Sequence, residues 1–130
     1  MVGNGEKMIL LFSHNLTNLQ IEDAKASLQV EEILYLPANL QEIWSNVNPE
    51  VDDRENLEEI KKYVRENLNK NDFVLIQGEW GYSYEMVKWS KRECFVPIYS
   101  ATIRNYQEKV DNEGNVINTH IFKHVKYKIY

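Results

Sequence analysis

The segment Asp72-Phe73-Val74-Leu75-Ile76-Gln77-Gly78-Glu79-Trp80-Gly81-Tyr82-Ser83-Tyr84-Glu85-Met86-Val87-Lys88 passes from an apolar run, through a glycine-bracketed polar turn, into a helical pattern. Phe73 to Ile76 shows no apolar/polar alternation. It therefore predicts a strand at the centre of a parallel sheet, covered on both faces. The turn then lies at the strand's carboxyl end, where open α/β sheets bind ligands and where the next helix points its free N–H groups. Gln77, Gly78, Glu79 and Gly81 are the first candidate site residues on this reading.

Working outward, Met8 to Phe12 is a second all-apolar strand, with Ser13-His14-Asn15 at its carboxyl end. Thr17 and Gln20 have the spacing of a capping box, and Leu16 and Ile21 that of a hydrophobic staple, which predicts a helix from Asn18 to about Gln29. Glu32 to Leu36 is a strand stopped by Pro37. Leu40, Ile43, Trp44 and Val47 recur at helical spacing over 38–47. Asp52 and Glu55 suggest a cap for a helix over 53–68, and Tyr82, Met86 and Trp89 mark another over 80–93. Phe95 to Tyr99 completes the fourth βα-type unit, and Pro97 inside it points to a sheet edge or to a position that needs no ladder donor. Arg104 to Asp111 and Val116 to Tyr130 then read as a β-hairpin turning at 112–115. His124, Lys126 and Lys128 fall on one face of its second strand, and Val125, Tyr127 and Ile129 on the other. The expected architecture is a single α/β domain over 1–130. Its first 100 residues form a Rossmann-like, mostly parallel sheet flanked by helices, and residues 101–130 form the hairpin extension.

Composition limits the function classes. A hydrophobic share of 43% and a charged share of 27% are ordinary for a soluble protein, and no apolar run is long enough to span a membrane. Met1 to Lys7 has no signal-peptide core, and a lone cysteine, Cys94, read as a semi-buried thiol, fits a reducing, cytoplasmic home. The net charge of −5 argues against coating long nucleic acid. It conceals an asymmetry: residues 1–87 carry 7 Lys+Arg against 16 Asp+Glu, and residues 88–130 carry 8 against 4. The basic C-terminal third can face a small anion.

Three loops supply the candidate chemistry. Ser13, His14 and Asn15 offer a hydroxyl, an imidazole and an amide, or else a polar lead into the Thr17 cap. The 77–81 turn lacks the lysine of a P-loop and the spacing of a dinucleotide fingerprint, while its glycines allow close approach to phosphate. Glu79 reads as a ribose-hydroxyl acceptor, a general base or a favourable charge at a helix N-terminus. Thr102 and Arg104 follow the fourth strand, where Arg104 is either a bidentate phosphate ligand or a surface residue opening the hairpin. Lys123, His124, Lys126 and Lys128 form either a positive strip near a ligand or a gatekeeper face. His120 and His124, about 13 Å apart on a strand, do not predict a metal site, and no cofactor motif is present. No Ser-His-Asp chemistry is legible, because there is no nucleophile elbow.

The stretches 10–17, 34–37, 74–81, 97–104 and 121–125 together resemble a small CRISPR-associated family, the Csx-type family numbered twenty, found beside type III systems. The resemblance implies a CARF-like domain, a homodimer, and a ring nuclease that linearises cyclic tetra-adenylate. It carries Ser13, His14, Gln77 to Gly81, Thr102 and Arg104 as site positions. Members of the family often hold a shorter acid and a small residue where this chain has Glu79 and Tyr82. The implied reaction is attack by a ribose 2′-hydroxyl on its own 3′-phosphate, with His14 or Glu79 as base and Arg104 and the N–H groups of the Gly78 to Gly81 turn on the phosphorane. A non-catalytic binder of cyclic oligoadenylate is the alternative.

Overall fold

Two uninterrupted apolar runs, Met8–Leu11 and Val74–Ile76, are fully shielded from water, and they lie side by side at the centre of the sheet. The computed structural model describes residues 6–130; residues 1–5, where the reading of a missing signal-peptide core begins, lie outside the described part. The order is β1 (Glu6–Phe12), α1 (Asn18–Ser27), β2 (Val30–Tyr35), α2 (Ala38–Ser45), a 3₁₀ turn (Arg54–Asn56), α3 (Leu57–Asn67), β3 (Phe73–Gln77), α4 (Trp80–Arg92), β4 (Val96–Val110) and β5 (Val116–Ile129). These strands form one mixed sheet in the order β2-β1-β3-β4-β5, parallel except for the antiparallel β4–β5 pair.

Because β1 and β3 are buried on both faces, successive residues feed two cores. Ile9, Leu11, Val74 and Ile76 pack under α2, α3 and α4 with Trp44, Ile60, Val64, Met86 and Trp89. Met8, Leu10, Leu75 and Ile98 pack under α1 with Leu16, Ala24 and Tyr127. The Thr17–Gln20 capping box is formed as read, with Gln20 N–H donating to Thr17 Oγ1 at 3.2 Å and Thr17 N–H to Gln20 Oε1 at 2.9 Å. Leu16 is buried and Ile21 packs on the same cluster, consistent with the staple.

Several expectations are corrected. β4 does not end near Tyr99; it continues unbroken to Val110, so Thr102 and Arg104 stand within a strand rather than in a loop. Of the two readings of Pro97 the second holds: β4 lies between β3 and β5, so Pro97 is not at an edge but where no ladder donor is needed. It is tolerated because its neighbour there is Tyr130, where the β5 ladder runs out. No side-chain cap by Asp52 starts α3. The chain enters it through the 3₁₀ turn, and Asp52 pairs with Arg54. Cys94 is exposed rather than semi-buried, just past α4 at φ 66°.

The alternation expected in β5 also breaks. Ala101 pairs with Lys126 but Thr102 pairs with His124, so Val125 is skipped in a β-bulge. The bulge puts His124 and Tyr127, rather than His124 and Lys126, on the α1 side, where both are buried. Beyond it every residue of 102–110 and 116–123 is exposed, so the outer β4–β5 ladder is a two-stranded ribbon standing clear of the helices.

Candidate functional site

The carboxyl ends of β1 and β3, the first turn of α1 and the root of the ribbon enclose a cavity of about 380 Å³. Phe12 and His14 come from β1 and its loop, Thr17 and Gln20 from α1, and Gln77 from β3. Ser100 and Thr102 of β4 and Phe122 and His124 of β5 complete it. Parallel strands end here by topology, so the position follows from the fold.

A continuous hydrogen-bond chain forms its floor. Gln20 fixes its amide orientation by accepting the Thr17 N–H at Oε1, which turns Nε2 towards Ser100 Oγ at 3.3 Å. Ser100 Oγ lies 2.5 Å from His124 Nδ1, and His124 Nε2 lies 2.6 Å from Asp23 Oδ2. Directions follow from the donors. A carboxylate accepts only, so Nε2 carries a proton; in the neutral imidazole Nδ1 is then the acceptor, and Ser100 donates its hydroxyl to it. The Ser27 hydroxyl bonds the other Asp23 oxygen at 2.5 Å, and this bond, with that of His124, holds the Asp23 carboxyl below its ordinary pKa against the opposing effect of burial. The His124 side chain is 2% exposed and that of Asp23 20%. Tyr127 packs against His124 at 4.6 Å with the rings tilted by 51°, and it donates its hydroxyl to Gln20 O; burial, and then the Asp23 charge, push its pKa up.

Of the residues singled out from sequence, the structure brings His14, Gln77, Thr102 and His124 into this cavity. Gln77 Oε1 accepts the Ser100 N–H at 2.8 Å and so helps to hold the serine. The others lie elsewhere. Ser13 contacts Ser45 on α2 at 3.0 Å, and Asn15 is exposed beside it. Gly78 is exposed and borders a different, larger cavity beside Trp80; its N–H bonds Ser83 Oγ, and a Cβ there would lie 2.7 Å from the Trp44 indole. Glu79 accepts the Tyr82 N–H at 2.9 Å as the N-cap of α4. With Gly81 it borders a different cavity, of about 190 Å³, among Asp52, Asp53 and Arg54. Glu79 thus stands at a helix N-terminus, as one of its three readings had it, and it borders this second cavity rather than the crevice. In that second cavity burial and the Asp53 carboxylate push the Tyr82 hydroxyl up to about 12. Lys123 projects from the opposite ribbon face, since it pairs with Ile103 rather than with Thr102 or Arg104.

Arg104 stands two residues outward from Thr102 on the same ribbon face. Its Nε donates to His120 Nδ1 at 3.2 Å, and its guanidinium lies 5.8 Å from the Phe122 ring centre. Tyr106 packs against His120 at 5.5 Å and continues the row. The crevice therefore opens onto a stripe of one cation and several flat rings. A larger cavity, about 460 Å³, lies across β3 beside Trp80, Tyr84 and Val87, and it holds no ionisable group except tyrosine. Among the described residues no set of three or more His, Cys, Asp and Glu side chains is arranged to hold a metal, and no helix is long and apolar enough to cross a membrane.

Residues 6–128 match the model of the uncharacterized protein MJ1673 family. The chain belongs to this family. It is 45% identical to uncharacterized protein MJ1673 of Methanocaldococcus jannaschii over 125 residues, covering 95% of this chain and 96% of that one. The match includes both ends of the crevice, from β1 through the His124 strand. No solved structure matches the chain. The description of the family carries no activity, so function rests on the chemistry of the crevice and ribbon.

Sequence reasoning missed Gln20, Asp23, Ser100 and Phe122 as lining or relay residues. The capping box that identified Gln20 was the available signal, because a buried cap amide has a second polar end that must also be satisfied.

Proposed function

We propose that the protein is a cytoplasmic, CARF-like ring nuclease that binds cyclic oligoadenylate, most simply cyclic tetra-adenylate, and linearises it. The observation carrying this reading is the continuity of the crevice with the Arg104–Phe122–His120–Tyr106 stripe. Flat rings stack on adenine irrespective of its pairing edges, and a fixed guanidinium binds phosphate through paired donors. A cavity of about 380 Å³ suits one nucleotide unit. A four-membered ring then needs two crevices, which a two-fold dimer supplies.

In the reaction a 2′-hydroxyl attacks the adjoining phosphorus in line, its proton passes to a base, and the 5′-oxygen leaves, giving a 2′,3′-cyclic phosphate. His14, on the loop at the crevice mouth, is the base in this scheme, and Arg104 stabilises the charge that develops on the phosphorane. Thr102 and Gln77 position the sugar. Glu79, Gly78 and Gly81 take no part, and neither do Ser13, Asn15 and Lys123.

The test is incubation of purified protein with radiolabelled cyclic tetra-adenylate in excess EDTA. Linear products ending in 2′,3′-cyclic phosphate are expected. Intact ligand retained by the protein would instead identify a sponge or sensor, and no retention would end both readings. Arg104→Ala, an exposed change with little effect on stability, is expected to slow cleavage about a hundredfold or more. Wild-type rates in that variant would remove Arg104 from the site.

A further inference from the structure

The Ser100–His124–Asp23 chain exceeds what that scheme uses. In-line attack brings its own nucleophile and leaves Ser100 and His124 idle, yet both line the crevice. Their geometry is specific. The serine oxygen lies 2.5 Å from the bare imidazole nitrogen, and the protonated nitrogen lies 2.6 Å from a carboxylate that is itself fixed by Ser27. The imidazole is turned end for end relative to the usual serine-enzyme arrangement, but both nitrogens are chemically competent: one accepts, the other donates to the orienting acid. Gln20 Nε2 occupies one Ser100 lone pair and so orients the other.

We propose that Ser100 is a nucleophile, activated by His124 and oriented through Asp23, that takes the acyl group of a neutral carboxylic ester bound in the crevice. The lining selects this class of substrate. It contains Phe12 and Phe122 and no lysine or arginine, so an uncharged ester with a flat or aromatic part fits in the crevice itself, whereas a phosphate meets its cation at Arg104 on the ribbon beyond it. Ser100 Oγ attacks the carbonyl carbon as its proton moves to His124 Nδ1, and the imidazolium is held by the Asp23 carboxylate through Nε2–H. Thr102 and Thr17 of the same lining offer hydroxyl donors for the tetrahedral oxyanion. Thr17 Oγ1 accepts from Gln20 N–H and keeps its own proton to give. Collapse expels the alcohol, which leaves with the proton from Nδ1 and leaves Ser100 acylated. Water then attacks the acyl carbon, giving its proton to Nδ1, and the carboxylic acid departs as Ser100 Oγ recovers that proton.

The test is labelling of the full chain with a fluorophosphonate probe, with the adduct mapped by peptide mass spectrometry and a p-nitrophenyl ester followed in parallel. A single adduct on Ser100 and a burst of p-nitrophenol equal to the enzyme concentration are expected. Asp23→Asn keeps the side chain's shape but presents an N–H to Nε2, which moves the imidazole proton to Nδ1 and removes the acceptor that Ser100 needs. Labelling is expected to slow about a hundredfold or more in that variant, with the folded near-ultraviolet spectrum retained. A purely structural clasp between α1 and the ribbon predicts no adduct, or labelling indifferent to Asp23→Asn; either result overturns the proposal, as does an adduct confined to another serine. Ring cleavage needs no serine nucleophile, so the cyclic tetra-adenylate assay reads independently of this one.

Discussion

Two turns of the chain face opposite sides of β3, and they differ in what their polar groups do. The β3–α4 turn, Gln77 to Gly81, has the composition of a phosphate loop, yet past Gln77 its groups serve the fold: Gly78 N–H bonds Ser83, Glu79 caps α4, and the bare face of Gly78 accommodates Trp44. The root of the β4–β5 ribbon has no recognisable motif, yet it assembles a serine, an imidazole and a carboxylate at hydrogen-bonding distance. The lesson is that free backbone donors at a helix start are a site only while they remain free, whereas a bulge can create a site from residues with no local signature.

The contrast breaks most easily at Gly78. An ideal Cβ there overlaps the Trp44 ring at 2.7 Å, and the ring is 1% exposed, so it has little room to yield. Gly78→Ala is expected to cost about 1–3 kcal/mol in a denaturant titration, with no change in probe labelling of Ser100 per folded molecule. Trp44→Phe removes the overlapping indole edge, and it sacrifices no hydrogen bond because Trp44 Nε1 has no partner among the described residues. The double variant should therefore recover part of the loss, as a favourable coupling in a double-mutant cycle. Additive losses would show that Gly78 is needed for something other than this packing.

Acid sharpens the other side. The Ser27 hydrogen bond, and then that of His124, hold the Asp23 carboxyl below the ordinary aspartate range, and burial opposes both. A folded pKa below the unfolded one gives stability that is fully present above the unfolded value and is lost as pH falls through the folded one. Glu85 acts in the same direction from 4.5: burial pushes it up, but the hydrogen bond and charge of Lys61 outweigh that. The melting temperature is therefore expected to fall steeply as pH drops below about 4, and Asp23→Asn should flatten the fall without abolishing it, since Glu85 remains. An unchanged slope would mean that Asp23 is not hydrogen-bonded to the ribbon in solution.

These outcomes bear on how much was legible. The centre of the sheet was plain, because unbroken apolar runs such as Met8–Leu11 have no place except between two helical layers. Thr17 and Gln20 announced α1 through a local pattern, and the carboxyl edge of the sheet announced the crevice through topology. Three features were not local. Asp23 and His124 are 101 positions apart, and Ser100 and His124 are 24 apart, so no window contains the chain they form. The continuation of β4 past Tyr99 was hidden by polar residues that never meet a helix. The Val125 bulge reversed the face of His124, and period-two reading has no means of placing a skipped residue.

The smallest effect tests the residue on which the two regions divide most clearly. If Glu79 served the crevice, removing its carboxylate would cost activity and little stability. The geometry makes the opposite demand. Its Oε1 accepts the Tyr82 N–H at 2.9 Å, one of the donors that the first turn of α4 leaves without an internal partner. Glu79→Ala is thus expected to cost about 1 kcal/mol or less of stability, while Glu79→Asp, with a shorter acid that still caps, should recover most of it. Ring cleavage and Ser100 labelling should both stay at wild-type rates in either variant. A loss of cleavage in Glu79→Ala without loss of stability would return the turn to the active site and would require the ligand to reach across β3.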